Sequence, residues 1–241
     1  TVTSLGTFTK STGTVTYDEA DAQTVDNVDY HHLVISGGAT KSLSNTTNVG
    51  GDLTVTASST VLAVGSNTID VNGTTAISSS GTVTVSTGTF DADGTMNCTA
   101  NFTFTDAGSL NLSNTVTSLG TFTKSTGTVT YDESDAQTID LVEYYNLVLD
   151  NGTKSTEGNT TITNNVTVQS DATLNSGAGD DDLTIGGDFT NSGTFIGTAG
   201  GSVVTEKITF NGASSDGESC PAIVDPNLSL VINKTNASGN V

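Results

Sequence analysis

The chain has 241 residues, 47 of them Thr and 27 Ser, with no Arg and six Lys against 26 acidic residues for a net charge of −20. That charge repels phosphate backbones and anionic lipid surfaces, so nucleic acid is excluded as a partner. No apolar run approaches the ~20 residues of a membrane-spanning helix, and no membrane insertion is expected.

Taken in chain order, short stretches alternate apolar and hydroxyl residues: Leu53-Thr-Val55, Val83-Thr-Val85, Phe102-Thr-Phe104, Leu110-Asn-Leu112, Val129-Thr-Tyr131, Val166-Thr-Val168 and Leu183-Thr-Ile185. A period of two places the apolar side chains on one face of a strand and Thr on the other. β-branched Thr and Val suit a pleated strand and are mediocre in helices. Gly, Asn, Asp and Ser clusters punctuate these runs as turns. No 3.6-residue apolar period with caps at both ends is present. The chain reads as all-β.

Residues 2–19, VTSLGTFTKSTGTVTYDE, recur without change at 116–133, and the match continues to Ile35 and Leu149. A looser third copy begins at Gly193-Thr-Phe195. In it Lys207–Phe210 matches Thr14–Tyr17, and Leu228–Ile232 matches His31–Ile35. The organisation expected is a first unit at 1–114, a second at 115–192 and a partial third at 193–241. Smaller periods of roughly 23 residues break near Asp26, Ser44, Gly65 and Gly88, inside the range that marks solenoids. A coil of that size cannot bury its apolar face alone, but stacked coils can. The expectation is a right-handed parallel β-helix, a β-solenoid of about ten coils and on the order of 50 Å long at ~4.8 Å per coil. Tandem β-sandwich domains are the alternative. In the solenoid, Val15, Tyr17, Leu33, Ile35, Val129, Tyr131, Leu147 and Leu149 are core.

The runs GTFTKSTGTVTYDEADAQT, YHHLVISGG and LTIGGDFTNSGTF resemble repeats of secreted bacterial β-helical adhesins, of the filamentous-haemagglutinin and autotransporter-passenger kind. That resemblance implies a parallel β-helix with an extracellular, cell-surface scaffold or adhesin role. It brings no catalytic residue.

Other β-helices carry polysaccharide hydrolases and lyases, and a carbohydrate-binding or carbohydrate-degrading protein is the alternative function. Tyr30, Tyr144 and Tyr145 would then stack on sugars. Paired carboxylates of the required kind are not marked in the sequence, and His31 and His32 are replaced by Tyr145 and Asn146 in the second copy. No enzymatic activity is expected. The acidic clusters offer oxygen ligands for a hard cation. Asp18, Glu19 and Asp21 recur as Asp132, Glu133 and Asp135, and Asp180, Asp181 and Asp182 form a partial calcium nonapeptide. Calcium is the one cofactor these nine residues point to.

Asn45, Asn72, Asn97, Asn101, Asn151, Asn159 and Asn233 belong to Asn-x-Ser/Thr sequons, which makes glycans possible attachments. In a solenoid Cys98 and Cys220 lie about 25 Å apart, so no bridge between them is expected. The sequence begins and stops in mid-pattern, with no polar cap at either side. Open coil edges pair, and head-to-tail pairing builds filaments. The functional expectation is a non-enzymatic extracellular structural protein: a filament or fibre subunit, or an adhesin stalk, polymerising with copies of itself.

Overall fold

A computed structural model describes residues 4–176, 181–196, 207–211 and 229–232. The chain divides into two compact units, Thr1–Gly127 and Thr128–Val241. Each is a parallel β-solenoid of the right-handed β-helix type, and together they comprise about 9 turns. Every strand pairing among the described residues is parallel, which sets the tandem-sandwich alternative aside.

In the first unit each coil lays one strand on each of three sheets. One sheet runs through Thr14–Tyr17, His32–Ile35, Leu53–Val55, Thr75–Ile77, Met96–Cys98 and Val116–Ser118. A second holds Gln23–Val25, Ala39–Leu43, Thr60–Gly65, Thr82–Val85, Asn101–Phe104 and Thr121–Thr123. The third includes Thr47–Val49, Thr68–Val71, Thr89–Ala92 and Ser109–Leu112. Leu33 pairs with Leu53, Leu53 with Thr75 and Thr75 with Met96, steps of 20, 22 and 21 residues. The coil is therefore slightly shorter than the period read from the sequence. The breaks at Asp26, Ser44, Gly65 and Gly88 fall at the corner between the second and third sheets.

The second unit repeats this plan. Thr128–Tyr131 pairs with Asn146–Leu149 in the register that joins Thr14–Tyr17 to His32–Ile35. The third copy keeps it too, with Lys207–Phe210 on Ser229–Ile232.

Alternation works as the strand period requires. Leu33, Ile35, Leu53, Val55, Val83, Val85, Phe102, Leu110, Tyr131 and Leu149 are buried. Their Thr neighbours at 54, 84, 103 and 130 stay at least partly exposed. Burial of each large aliphatic side chain contributes roughly 1.5–3 kcal/mol. Of the expected core residues only Val15 is half-buried instead of buried. At one corner Gly51, Gly73 and Gly94 stack. A Cβ on Gly94 would lie 2.1 Å from the Gly73 carbonyl oxygen, and one on Gly73 would lie 2.5 Å from the Gly51 carbonyl carbon. Only glycine lets successive coils approach this closely.

Candidate functional site

The duplicated acidic turn follows the Thr-Val-Thr-Tyr strand and precedes Gln23–Val25 in the first copy and Gln137–Ile139 in the second. Asp18, Glu19 and Asp21 are exposed; Asp132 and Glu133 are partly exposed and Asp135 is exposed. Beneath each turn lies a lysine whose side chain is fully buried: Lys41 and Lys154, both 0 % exposed. Lys41 occupies an inward position of Ala39–Leu43, two residues before buried Leu43. Its Nζ donates to the carbonyls of Glu19 (2.6 Å), Gly38 (2.6 Å) and Asp21 (3.1 Å). Three donors of one ammonium thus meet three acceptors. Lys154 Nζ donates likewise to the carbonyls of Glu133 and Asn151.

The neighbouring inward residue supplies the opposite polarity. Gln23 Oε1 accepts the Glu19 N–H at 3.3 Å, and Gln137 Oε1 accepts the Glu133 N–H at 3.4 Å. The turn backbone is therefore held from the inside by a Gln–Lys pair, while its carboxylates face solvent.

The electrostatics follow from this layout. Burial lowers the pKa of both lysines, and nearby carboxylates oppose that shift: Glu19, Asp18 and Asp21 for Lys41, and Asp132, Glu133 and Asp150 for Lys154. The Asp135 backbone N–H, more than any other group, lowers the pKa of Glu133. A hard cation in either turn would find these carbonyls already taken by an ammonium. Among the described residues no three His, Cys, Asp or Glu side chains are placed to hold one ion. Asp181 and Asp182 are half-buried before Leu183–Ile185. Asp180 and Cys220 lie outside the described residues.

A second repeated polar device sits beside the turn. Tyr17 and Tyr30 share a hydroxyl–hydroxyl bond of 2.9 Å; the Tyr17 hydroxyl accepts the Asp26 N–H, and that of Tyr30 donates to the Asp26 carbonyl. Tyr131, Tyr144 and Asp140 reproduce every bond, with 2.8 Å between the hydroxyls. Tyr30 and Tyr144 are 0 % exposed, which corrects the expectation that they stack on sugars. Of that trio Tyr145 alone reaches the surface, and only partly.

Burial raises the pKa values of Tyr30, Tyr131 and Tyr144 well above the ordinary phenol value. A raised folded-state pKa contributes stability that is complete below about pH 10 and is lost as pH rises further, by about 1.4 kcal/mol per pH unit for each phenol. The lysines act with the opposite sign, but only below about pH 10.5, where the unfolded chain still holds their protons. Alkaline unfolding between pH 10.5 and 12 should therefore be steep, with tyrosinate absorbance and loss of circular dichroism rising together. Tyrosinate appearing at pH 10 while the fold persists would contradict the burial of these hydroxyls.

His31 and His32 contact each other edge to face at 4.3 Å, and His32 Nδ1 accepts the Asp52 N–H at 2.9 Å. This use is structural: a side chain of one coil accepts a backbone N–H of the next. Asp52 does the same for Thr74, and Asn146, Asn165 and Asp188 continue the device in the second unit. Cys98 is buried within Met96–Cys98.

Sequence reading missed Lys41, Lys154, Gln23 and Gln137 because lysine is seldom fully buried. The available signal was phase. Both lysines fall on inward positions of a strand, and Lys154 recurs at the aligned place once a single residue is removed from the second copy. Comparisons with protein-family models, curated proteins and solved structures gave no match.

Proposed function

We propose that the protein is a non-enzymatic extracellular structural subunit, forming filaments or an adhesin stalk by strand or coil pairing between copies. The observation that carries this reading is where the repeated polar residues are placed. Lys41 and Lys154, Gln23 and Gln137, and both tyrosine pairs are buried in bonds that hold the chain's own backbone. What the repeat preserves is the coil itself, as expected of a scaffold whose output is mechanical. Electron microscopy of the purified protein tests the reading. Filaments that lengthen with concentration are expected, and a species that stays monomeric at every concentration would overturn it.

Calcium, if bound at the acidic turns, would be held by the outward carboxylates of residues such as Asp18, Asp21 and Asp135. Neutralising them would relieve part of the self-repulsion of a chain at −20. Calcium should then raise the melting temperature and EDTA should lower it. An unchanged melting temperature in both removes calcium from the account.

A further inference from the structure

The exact duplication provides an internal comparison, because one sequence occurs in two settings within the first unit. In the second copy, Val116–Ser118 and Thr121–Thr123 are strands, paired in parallel to Met96–Cys98 and Asn101–Phe104 of the coil before them. In the first copy, Thr7–Thr9 has the same sequence as Thr121–Thr123 and carries no strand.

The turns are nevertheless the same. Gly6 and Gly120 have φ of 61° and 64°, and Ser11 and Ser125 have φ of 40° and 39°. Ser4 Oγ accepts the Gly6 N–H at 3.0 Å, as Ser118 Oγ accepts the Gly120 N–H at 2.9 Å. The Lys10 and Lys124 carbonyls accept from Gly13 and Gly127 at 3.0 and 2.9 Å. What differs is the space alongside. A Cβ on Gly120 would lie 2.6 Å from the Ala100 carbonyl oxygen and 2.8 Å from that of Cys98, whereas one on Gly6 would meet nothing within 4 Å. The segment from Ser4 to Gly13 is thus already bent to receive a coil, which lowers the ordering cost of adding one.

The second unit presents a matching donor. Phe189–Asn191 and Thr194–Ile196 are terminal strands of their sheets among the described residues. They reproduce the layout of Met96–Cys98 and Asn101–Phe104: a glycine two residues before the first inward side chain (Gly187, Gly94) and an inward Phe six residues after it (Phe195, Phe102). Ile196 is one of two large apolar side chains left exposed, at 43 %. Asp188, last in the series of coil-to-coil acceptors, has a buried Oδ1 with no hydrogen-bond partner among the described residues.

We propose that Ser4–Gly13 is the receiving edge of a head-to-tail joint, and that its occupant is the Phe189–Ile196 coil edge of a second copy. The joint specifies, and rests on, the self-assembly reading above. Its register follows from the internal example, in which Asn101, Phe102 and Thr103 face Thr121, Phe122 and Thr123. Thr194, Phe195 and Ile196 of one copy then face Thr7, Phe8 and Thr9 of the next. Phe195 stacks on Phe8 as Phe102 stacks on Phe122, whose rings are 6.0 Å apart and inclined by 23°. The Thr7 N–H donates to the Gly193 carbonyl as Thr121 does to Ala100.

The test mixes an isotopically light copy carrying Thr9→Cys with a heavy copy carrying Ile196→Cys, oxidises them and maps disulfides by mass spectrometry. Neighbouring strands at ~4.8 Å lie within the Cα range of a disulfide. A light–heavy link between positions 9 and 196 is expected. Gly6→Asn should abolish both the link and assembly with an unchanged melting temperature, because Asn tolerates positive φ and the added side chain enters space that is open in the single subunit. Assembly that persists in Gly6→Asn without the link would overturn this joint and leave self-assembly standing through another surface. Absence of assembly in the unaltered chain would remove both.

Discussion

Phe102→Ala should lower the stability of the first unit by about 3–5 kcal/mol, the usual cost of removing a buried aromatic ring. Phe102 is 0 % exposed and lies at the centre of a cluster. Its ring meets Phe90 edge-on at 5.5 Å and Phe104 at 5.6 Å, and it stacks on Phe122 at 6.0 Å. These rings come from neighbouring coils, so the cavity would open between coils as well as within one. Close packing prevents the surroundings from collapsing into it. The urea midpoint of the purified variant gives the measurement. A loss below about 1 kcal/mol would show that the coil interior is not packed as described.

Lys154→Met is expected to cost about 3 kcal/mol, with Lys41→Met similar. Methionine keeps most of the aliphatic stem but leaves the Glu133 and Asn151 carbonyls without their donor. A hydrogen bond to a charged group contributes about 1.5–3 kcal/mol, and the relief of desolvating the ammonium offsets part of the loss of two. Amide exchange should quicken first at residues 133–137, the turn that loses its anchor. A variant as stable as the parent, with exchange unchanged there, would contradict an anchoring role for this lysine.

Much of the fold could be read from particular residues. Leu53-Thr-Val55 and Val83-Thr-Val85 announced strands by period two, and the 114-residue duplication announced a stacked array. The third copy was visible as well: Lys207–Phe210 pairs with Ser229–Ile232 in the register of Thr14–Tyr17 with His32–Ile35. The exact coil length was harder to read, because the corners absorb one or two residues without disturbing the register, as the steps from Leu33 to Met96 show.

The site was legible only from one side. Asp18-Glu19 and Asp132-Glu133 stood out as repeated charge, but charge alone does not distinguish a metal cradle from a turn. The deciding residue, Lys41, lies 22 residues after Glu19 and reaches it through the stacking of coils. Tyr30 and Tyr144 misled for a related reason. An aromatic residue next to a turn fits sugar binding, yet here each hydroxyl closes a bond inside the coil.

X-ray fibre diffraction from aligned assemblies tests the central claim most directly, because coils that continue from copy to copy keep one strand spacing throughout. The account predicts a sharp reflection near 4.8 Å along the filament axis, unbroken by subunit boundaries. Filaments with that reflection perpendicular to their axis would contradict coil-on-coil assembly.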